Sequence, residues 1–197
     1  SKEGRRILFV GRNFVRKGGP LVVQAFTILR KKYLWSAELY LAGAKESDIR
    51  DALRERQIRV EEVDWQKIHL LGDLGSEKLT DYYNLCDVFC MPSYFEAYGL
   101  VFAEALTYGL PCIGRDKFAM SEFIEDGCTG RLISGEDAEE LALDLWEVLQ
   151  DPKYREEVER RREWYLREYS WDKVAQRICS VMEKNERDKD QYRSAGV

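Results

Sequence analysis

Glu96 and Glu104 are separated by seven residues that bracket Gly99. The run Val88-Phe89-Cys90-Met91 has the continuous apolar character of a buried parallel strand, and Pro92 and Ser93 end it. Leu100 to Tyr108 then shows helical periodicity that stops at Gly109-Leu110-Pro111. Gly99 therefore stands at the mouth of a helix. There the amides of Gly99, Leu100 and Val101 have no internal acceptors and share the positive end of the helix dipole, so they can meet a phosphate oxygen. The spacing points to an anion site with a carboxylate on either side of it.

Those carboxylates need different roles. A helical side chain leans toward the N-terminus, so Glu104 points back over the turn that carries Leu100. A carboxylate beside a diphosphate is repelled unless it meets a donor. A vicinal diol such as that of ribose offers two, each charge-assisted bond contributing roughly 1.5–3 kcal/mol. Glu96, on the loop, would face the other end of such a ligand, where a hexose would present hydroxyls. The same spacing also fits two glutamates that merely complement the helix dipole.

The elements that must position these groups can be read from periodicity. Apolar runs at Ile7–Val10, Leu39–Ala42, Ile68–Leu71, Val88–Met91, Pro111–Ile113 and Arg131–Ile133 alternate with helical stretches. That alternation predicts an α/β fold with a doubly wound parallel sheet of six strands, flanked by helices. Pro20 suits a first helical turn, followed by an apolar face of Leu21, Val22, Ala25, Phe26, Ile28 and Leu29. Lys17 and Gly18 thus precede a second helix mouth. Both mouths follow strands expected at the centre of the sheet, where open α/β sheets bind ligands.

The loop Gly11-Arg12-Asn13 lacks the glycines of a dinucleotide fingerprint and the G-K-[ST] ending of a P-loop. A nicotinamide enzyme is not expected. His69, the only histidine, falls near the start of a strand and is given no catalytic role. Beyond Ser134, helices are expected over Asp137–Gln150, as a single charged helix from Asp151-Pro152 through Arg167, and as an amphipathic stretch over Trp171–Met182. Residues 1–182 read as one domain and 183–197 as a charged, disordered tail.

A chain of 197 residues with 45% apolar composition can bury one sound core. Its net charge of −5 and lack of a concentrated basic stripe argue against a nucleic-acid face. No window approaches the roughly 18 apolar residues of a membrane span. Five cysteines without a C-x-x-C pair read as reduced core residues of a cytoplasmic protein. Metal-ligand spacing is missing, and Asp188-Lys189-Asp190 lies in a charged tail, so no metal is expected.

The segment from Glu96 to Glu104 resembles the E-x7-E signature of retaining GT-B glycosyltransferases of family 4 (group 1). Further blocks resemble that family in the same order. They are Gly11-Arg12 with Lys17-Gly18, Leu71-Gly72-Asp73 with Tyr82 to Val88, Glu104-Ala105 through Pro111, and Glu122-Phe-Ile with Gly127, Gly130 and Leu132. Together they cover about Arg6 to Ser134. The resemblance implies a Rossmann-like domain, the C-terminal, donor-binding half of a GT-B fold. The missing N-terminal Rossmann-like domain would be its partner and the only route to peripheral membrane association. A start of Ser1-Lys2-Glu3-Gly4 directly before a strand agrees with an excised piece of a longer protein.

The resemblance also implies roles. Arg12 and Lys17 would hold the diphosphate of a nucleotide-sugar donor and Glu96 the transferred sugar, these three being the catalytic set. Glu104 would hold the ribose, with Gly11, Tyr98, Gly99, Leu100, Val101 and Gly72 completing the donor site and the base lying near Gly72 to Leu74. The implied reaction is metal-independent transfer of a hexosyl group to a carbohydrate or other hydroxyl acceptor, for which the fragment alone would be inactive. A GT-B sugar-nucleotide isomerase of the 2-epimerase kind and a non-catalytic sugar-nucleotide-binding module share these features. Two departures stand out: Lys117-Phe118-Ala119-Met120 replaces a loop where relatives often carry Gly-Gly, and Ala97 replaces a frequent glycine.

Overall fold

The computed structural model describes residues 5–170 and 173. Five of the strands and helices come in strict alternation: β1 (Arg6–Val10), α1 (Gly19–Lys32), β2 (Glu38–Ala42), α2 (Glu46–Glu55) and, after two short 3-10 turns, β3 (Ile68–Gly72). The chain continues through α3 (Ser76–Leu85), β4 (Val88–Cys90), α4 (Leu100–Thr107), β5 (Cys112–Arg115), α5 (Met120–Phe123) and β6 (Gly130–Ile133). It ends in α6 (Ala138–Gln150), α7 (Lys153–Arg160) and α8 (Arg162–Glu168). The expected stretch Trp171–Met182, the tail 183–197 and Cys179 lie outside the described residues.

The six strands form one sheet in the order β3-β2-β1-β4-β5-β6, and every pairing is parallel. Parallel neighbours need crossovers, and crossovers are right-handed. The chain winds outward from β1 to β3 and then returns to place β4 beside β1, so helices must cover both faces. This is why Leu8, Phe9, Val88, Phe89 and Cys90 are fully buried. Helix α1 packs along α6, and α4 packs against α5 and α8.

Two sequence expectations need correction. The strand expected at 111–113 begins after Pro111, whose carbonyl accepts from Phe89, and extends to Arg115. The single helix expected through Arg167 is two helices. The Arg161 amide is shared between Glu157 O at 3.2 Å and Val158 O at 3.1 Å, which tightens the turn and ends α7. The Arg161 guanidinium meanwhile reaches across to Glu125 and to Cys128 Sγ, and α8 restarts at Arg162.

Candidate functional site

Strand order reverses between β1 and β4, and the loops leaving their carboxyl ends run side by side. Tyr94 N donates to Arg16 O at 2.9 Å, and the Arg16 guanidinium donates to Phe95 O at 2.7 Å. The buried Ser93 Oγ lies 2.8 Å from Phe95 O and 3.2 Å from Arg16 O. Arg16, to which the sequence assigned no role, therefore fastens one loop to the other. Gly18 is needed for this approach: its φ is +80°, and a Cβ there would sit 2.4 Å from Pro92 O.

Fastening the loops brings Lys17 against Glu96. Their side chains are ion-paired, only 14% and 12% exposed, across a separation of 79 residues. The second Glu96 oxygen accepts from Gly99 N at 3.3 Å. Gly99 caps α4 with φ +65°, and a Cβ there would strike the Phe123 ring at 2.7 Å. Two helix mouths, one cation and one carboxylate thus converge at the point where a doubly wound sheet binds its ligands. Little solvent separates the pair, so both groups are held in place before any ligand arrives.

Arg12 stands further out. Its guanidinium is 81% exposed and its Nε donates to Asp73 Oδ1 at 3.0 Å. Gly11 and Arg12 line a small cleft of about 90 Å3 with Gly43, Asp73 and Leu74, and Gly43 N bonds to Gly72 O at 2.7 Å. Glu104 accepts from the Tyr83 hydroxyl at 3.0 Å. Tyr83 is buried and stacks on Tyr108 at 5.3 Å. Burial first, then the Glu104 charge, pushes the Tyr83 hydroxyl far above its ordinary range, so it remains a donor. Tyr98, Leu100 and Glu104 line a separate, mostly apolar groove of about 500 Å3 with Leu166 and Tyr169. Val101 is half-buried behind them.

The structure thus joins Lys17, Glu96 and Gly99 in one cluster and sets Arg12 with Gly72 and Glu104 with Tyr98 in flanking positions. Residue patterns did not single out Tyr83, Asp73 or Ser93 as supports, although each falls within or beside a block of the family resemblance. Arg115 was also missed. It is 4% exposed, donates to Gly135 O at 2.6 Å and Pro92 O at 3.4 Å, and lies under the Tyr94 ring. Its Nε has no hydrogen-bond partner among the described residues. Ala97 adopts no positive φ, whereas Phe118 does, at +57°.

Other polar groups lie elsewhere. His69 Nε2 is 3.1 Å from Glu38 Oε2 and its ring stacks on Tyr40 at 4.3 Å, toward the amino ends of the strands. A larger cavity of about 640 Å3, lined by Arg5, Asp87 and Arg155 among others, also lies at that end. Cys86, Cys90 and Cys112 are buried free thiols, and burial pushes all three up, away from thiolate chemistry. Among the described residues no group of three His, Cys, Asp or Glu side chains could hold a metal ion. No helix among them is long and apolar enough to cross a membrane.

A family model for glycosyl transferases group 1 matches residues 1–165. The chain belongs to this family. A group 1 assignment agrees with its relatives: the chain is 28% identical over 184 residues to a phosphatidyl-myo-inositol mannosyltransferase of Mycolicibacterium smegmatis, covering 92% of this chain and 46% of that protein. The sucrose-phosphate synthase of Thermosynechococcus elongatus superposes with a TM-score of 0.77 at 26% identity, over 93% of this chain and 46% of that one. HepE of Anabaena, solved with UDP and glucose, has a TM-score of 0.77 at 18% identity, over 92% of this chain and 48% of that one, and shows the fold alone. The parallel sheet of this group 1 chain is therefore that of GT-B glycosyltransferases. The chain spans about half the length of the curated relatives it matches.

Proposed function

We propose that this chain is the nucleotide-sugar donor-binding domain of a retaining, metal-independent glycosyltransferase of family 4. With an N-terminal Rossmann-like domain outside this sequence, it would move a hexosyl group to a hydroxyl acceptor. The observation that carries the reading is the Lys17–Glu96 pair held between the mouths of α1 and α4. A mannosyltransferase among the relatives supports the donor class.

In this reading the bond between the anomeric carbon and the donor diphosphate breaks, and negative charge builds on the departing phosphate. Lys17, Arg12 and the amides that open α4 oppose that charge, which is where preorganised donors help most. The acceptor oxygen bonds to the anomeric carbon on the same face, and its proton passes to the leaving phosphate oxygen. Glu96 accepts from sugar hydroxyls while Lys17 spans the carboxylate and the phosphate. Glu104, steadied by Tyr83, accepts from the ribose diol. Two cationic side chains supply the charge that a divalent ion would otherwise supply.

Calorimetric titration with UDP, GDP and ADP in EDTA tests this. One nucleotide is expected to saturate, with Arg12→Ala and Glu104→Ala each weakening it by about tenfold or more. Binding of none, or binding indifferent to both substitutions, would overturn the donor-site reading.

A further inference from the structure

Two non-glycine residues among those described adopt positive φ, Gln57 and Phe118, both at 57°. Gln57 has a local cause. It follows α2, and the bonds Ile58 N to Leu53 O and Gln57 N to Arg54 O, each 2.9 Å, close the helix end in the usual left-handed cap. Phe118 follows a strand, not a helix, and a bulky residue with that φ is strained. Burial does not repay the strain, because Phe118 remains 49% exposed.

The strained backbone does set where the ring stands. Phe118 meets Phe95, itself 50% exposed, edge to face at 5.0 Å. Phe95 precedes Glu96, and Ala119 N, next to Phe118, donates to Glu96 O at 3.3 Å. Ala119 also lies under the mouth of α4, its Cβ 3.4 Å from the place a Gly99 Cβ would occupy. Two half-exposed rings therefore flank the backbone of Glu96, whose carboxylate could accept from a hydroxyl. Apolar wall beside polar acceptor is the surface that a pyranose fits, since a sugar ring presents C–H bonds on its faces and hydroxyls around its rim.

We infer that Phe118, with Phe95, forms an aromatic wall that contacts the C–H face of the sugar of a bound nucleotide-diphosphate hexose while Glu96 accepts from its hydroxyls. Phe118 is thus a specificity-determining residue of the donor site. This rests on the donor-binding reading of the same crevice. The strained φ is the cost of turning the ring toward the ligand instead of into the core.

The test compares nucleotides with nucleotide-sugars on the 197-residue chain. UDP, GDP and ADP are titrated first, then UDP-glucose, UDP-galactose, UDP-N-acetylglucosamine, GDP-mannose and ADP-glucose, against the parent and against Phe118→Gly and Phe118→Asn, both of which tolerate positive φ. The parent should bind its preferred nucleotide-sugar tighter than the bare nucleotide. Both variants should lose roughly three- to tenfold of that increment, the scale of burying one ring, and bind the bare nucleotide as the parent does. Their melting temperatures should hold or rise as the strain is released. A sugar increment unchanged in both variants, or an equal loss for nucleotide and nucleotide-sugar with a lowered melting temperature, would overturn the inference alone. Failure of the parent to bind any nucleotide would overturn the donor reading and this inference with it.

Discussion

Two polar clusters lie at opposite ends of the same sheet. At the carboxyl ends, Lys17 pairs with Glu96 between two helix mouths. Toward the amino ends, Glu38 at the start of β2 lies within reach of Tyr40, His69 and Lys67. Both clusters hold a carboxylate and at least one nitrogen base, and the second contains the only histidine, the residue type most often associated with catalysis. Yet only the first lies at helix starts, where the positive ends of the α1 and α4 dipoles point. In a parallel sheet every helix that follows a strand begins at that strand's carboxyl end, so orphan donors and positive dipoles gather there. Position in the winding, more than residue type, separates a candidate site from a structural ion cluster.

The largest way to break the first cluster is Gly18→Ala. A methyl group 2.4 Å from Pro92 O at φ +80° must push the two loops apart. A loss of about 3 kcal/mol in urea unfolding is expected, accompanied by loss of nucleotide binding. Stability within about 0.5 kcal/mol of the parent would show that the loops are not tightly fastened.

Lys17→Met should act chiefly on binding. It removes the cation from a carboxylate that is 12% exposed and from the phosphate position. Nucleotide affinity should fall about 30-fold, near 2 kcal/mol, in a calorimetric titration. Retained affinity would transfer the anion site to Arg12.

The amino-end cluster should respond least, and to pH alone. Burial pushes the Glu38 carboxyl up, but hydrogen bonds with Tyr40 and His69 and the charge of Lys67 outweigh it, leaving Glu38 below its ordinary 4.5. Burial and the Glu38 bond push Tyr40 up to about 12. A carboxyl whose folded pKa is depressed contributes stability above its unfolded value and loses it as pH falls through the folded one. The parent should therefore exceed Glu38→Gln in urea midpoint at pH 7, with the gap closing below pH 4.5, the ordinary value of that carboxyl. Nucleotide binding should not change at pH 7. Any change would erase the distinction between the two clusters.

Strands and helix starts were legible because they depend on neighbours a few residues away. The run Val88–Met91 marked β4, and Pro20 and Gly99 marked the starts of α1 and α4. The break at Arg161 was not legible, since its side chain turns toward Glu125 and Cys128, more than thirty residues earlier in the chain. Tyr83 gave no signal either: a tyrosine in an amphipathic helix looks like core until its hydroxyl is seen against Glu104.

By itself the amino-acid sequence determined the alternation of elements, the group 1 family, and the two helix mouths at Gly18 and Gly99, because periodicity, turn residues and motif spacing act locally along the chain. Only the tertiary structure decided that Lys17 meets Glu96, that Arg16 fastens the two loops, that Arg12 turns to Asp73, and that Phe118 stands exposed in a glycine-like conformation. Each of the three contacts joins residues more than sixty positions apart; the sheet order 3-2-1-4-5-6 sets the end of β3 on one side of the β1 loop for Arg12–Asp73, and the return of the chain to the far side of β1 sets the β4 loop beside it for the other two.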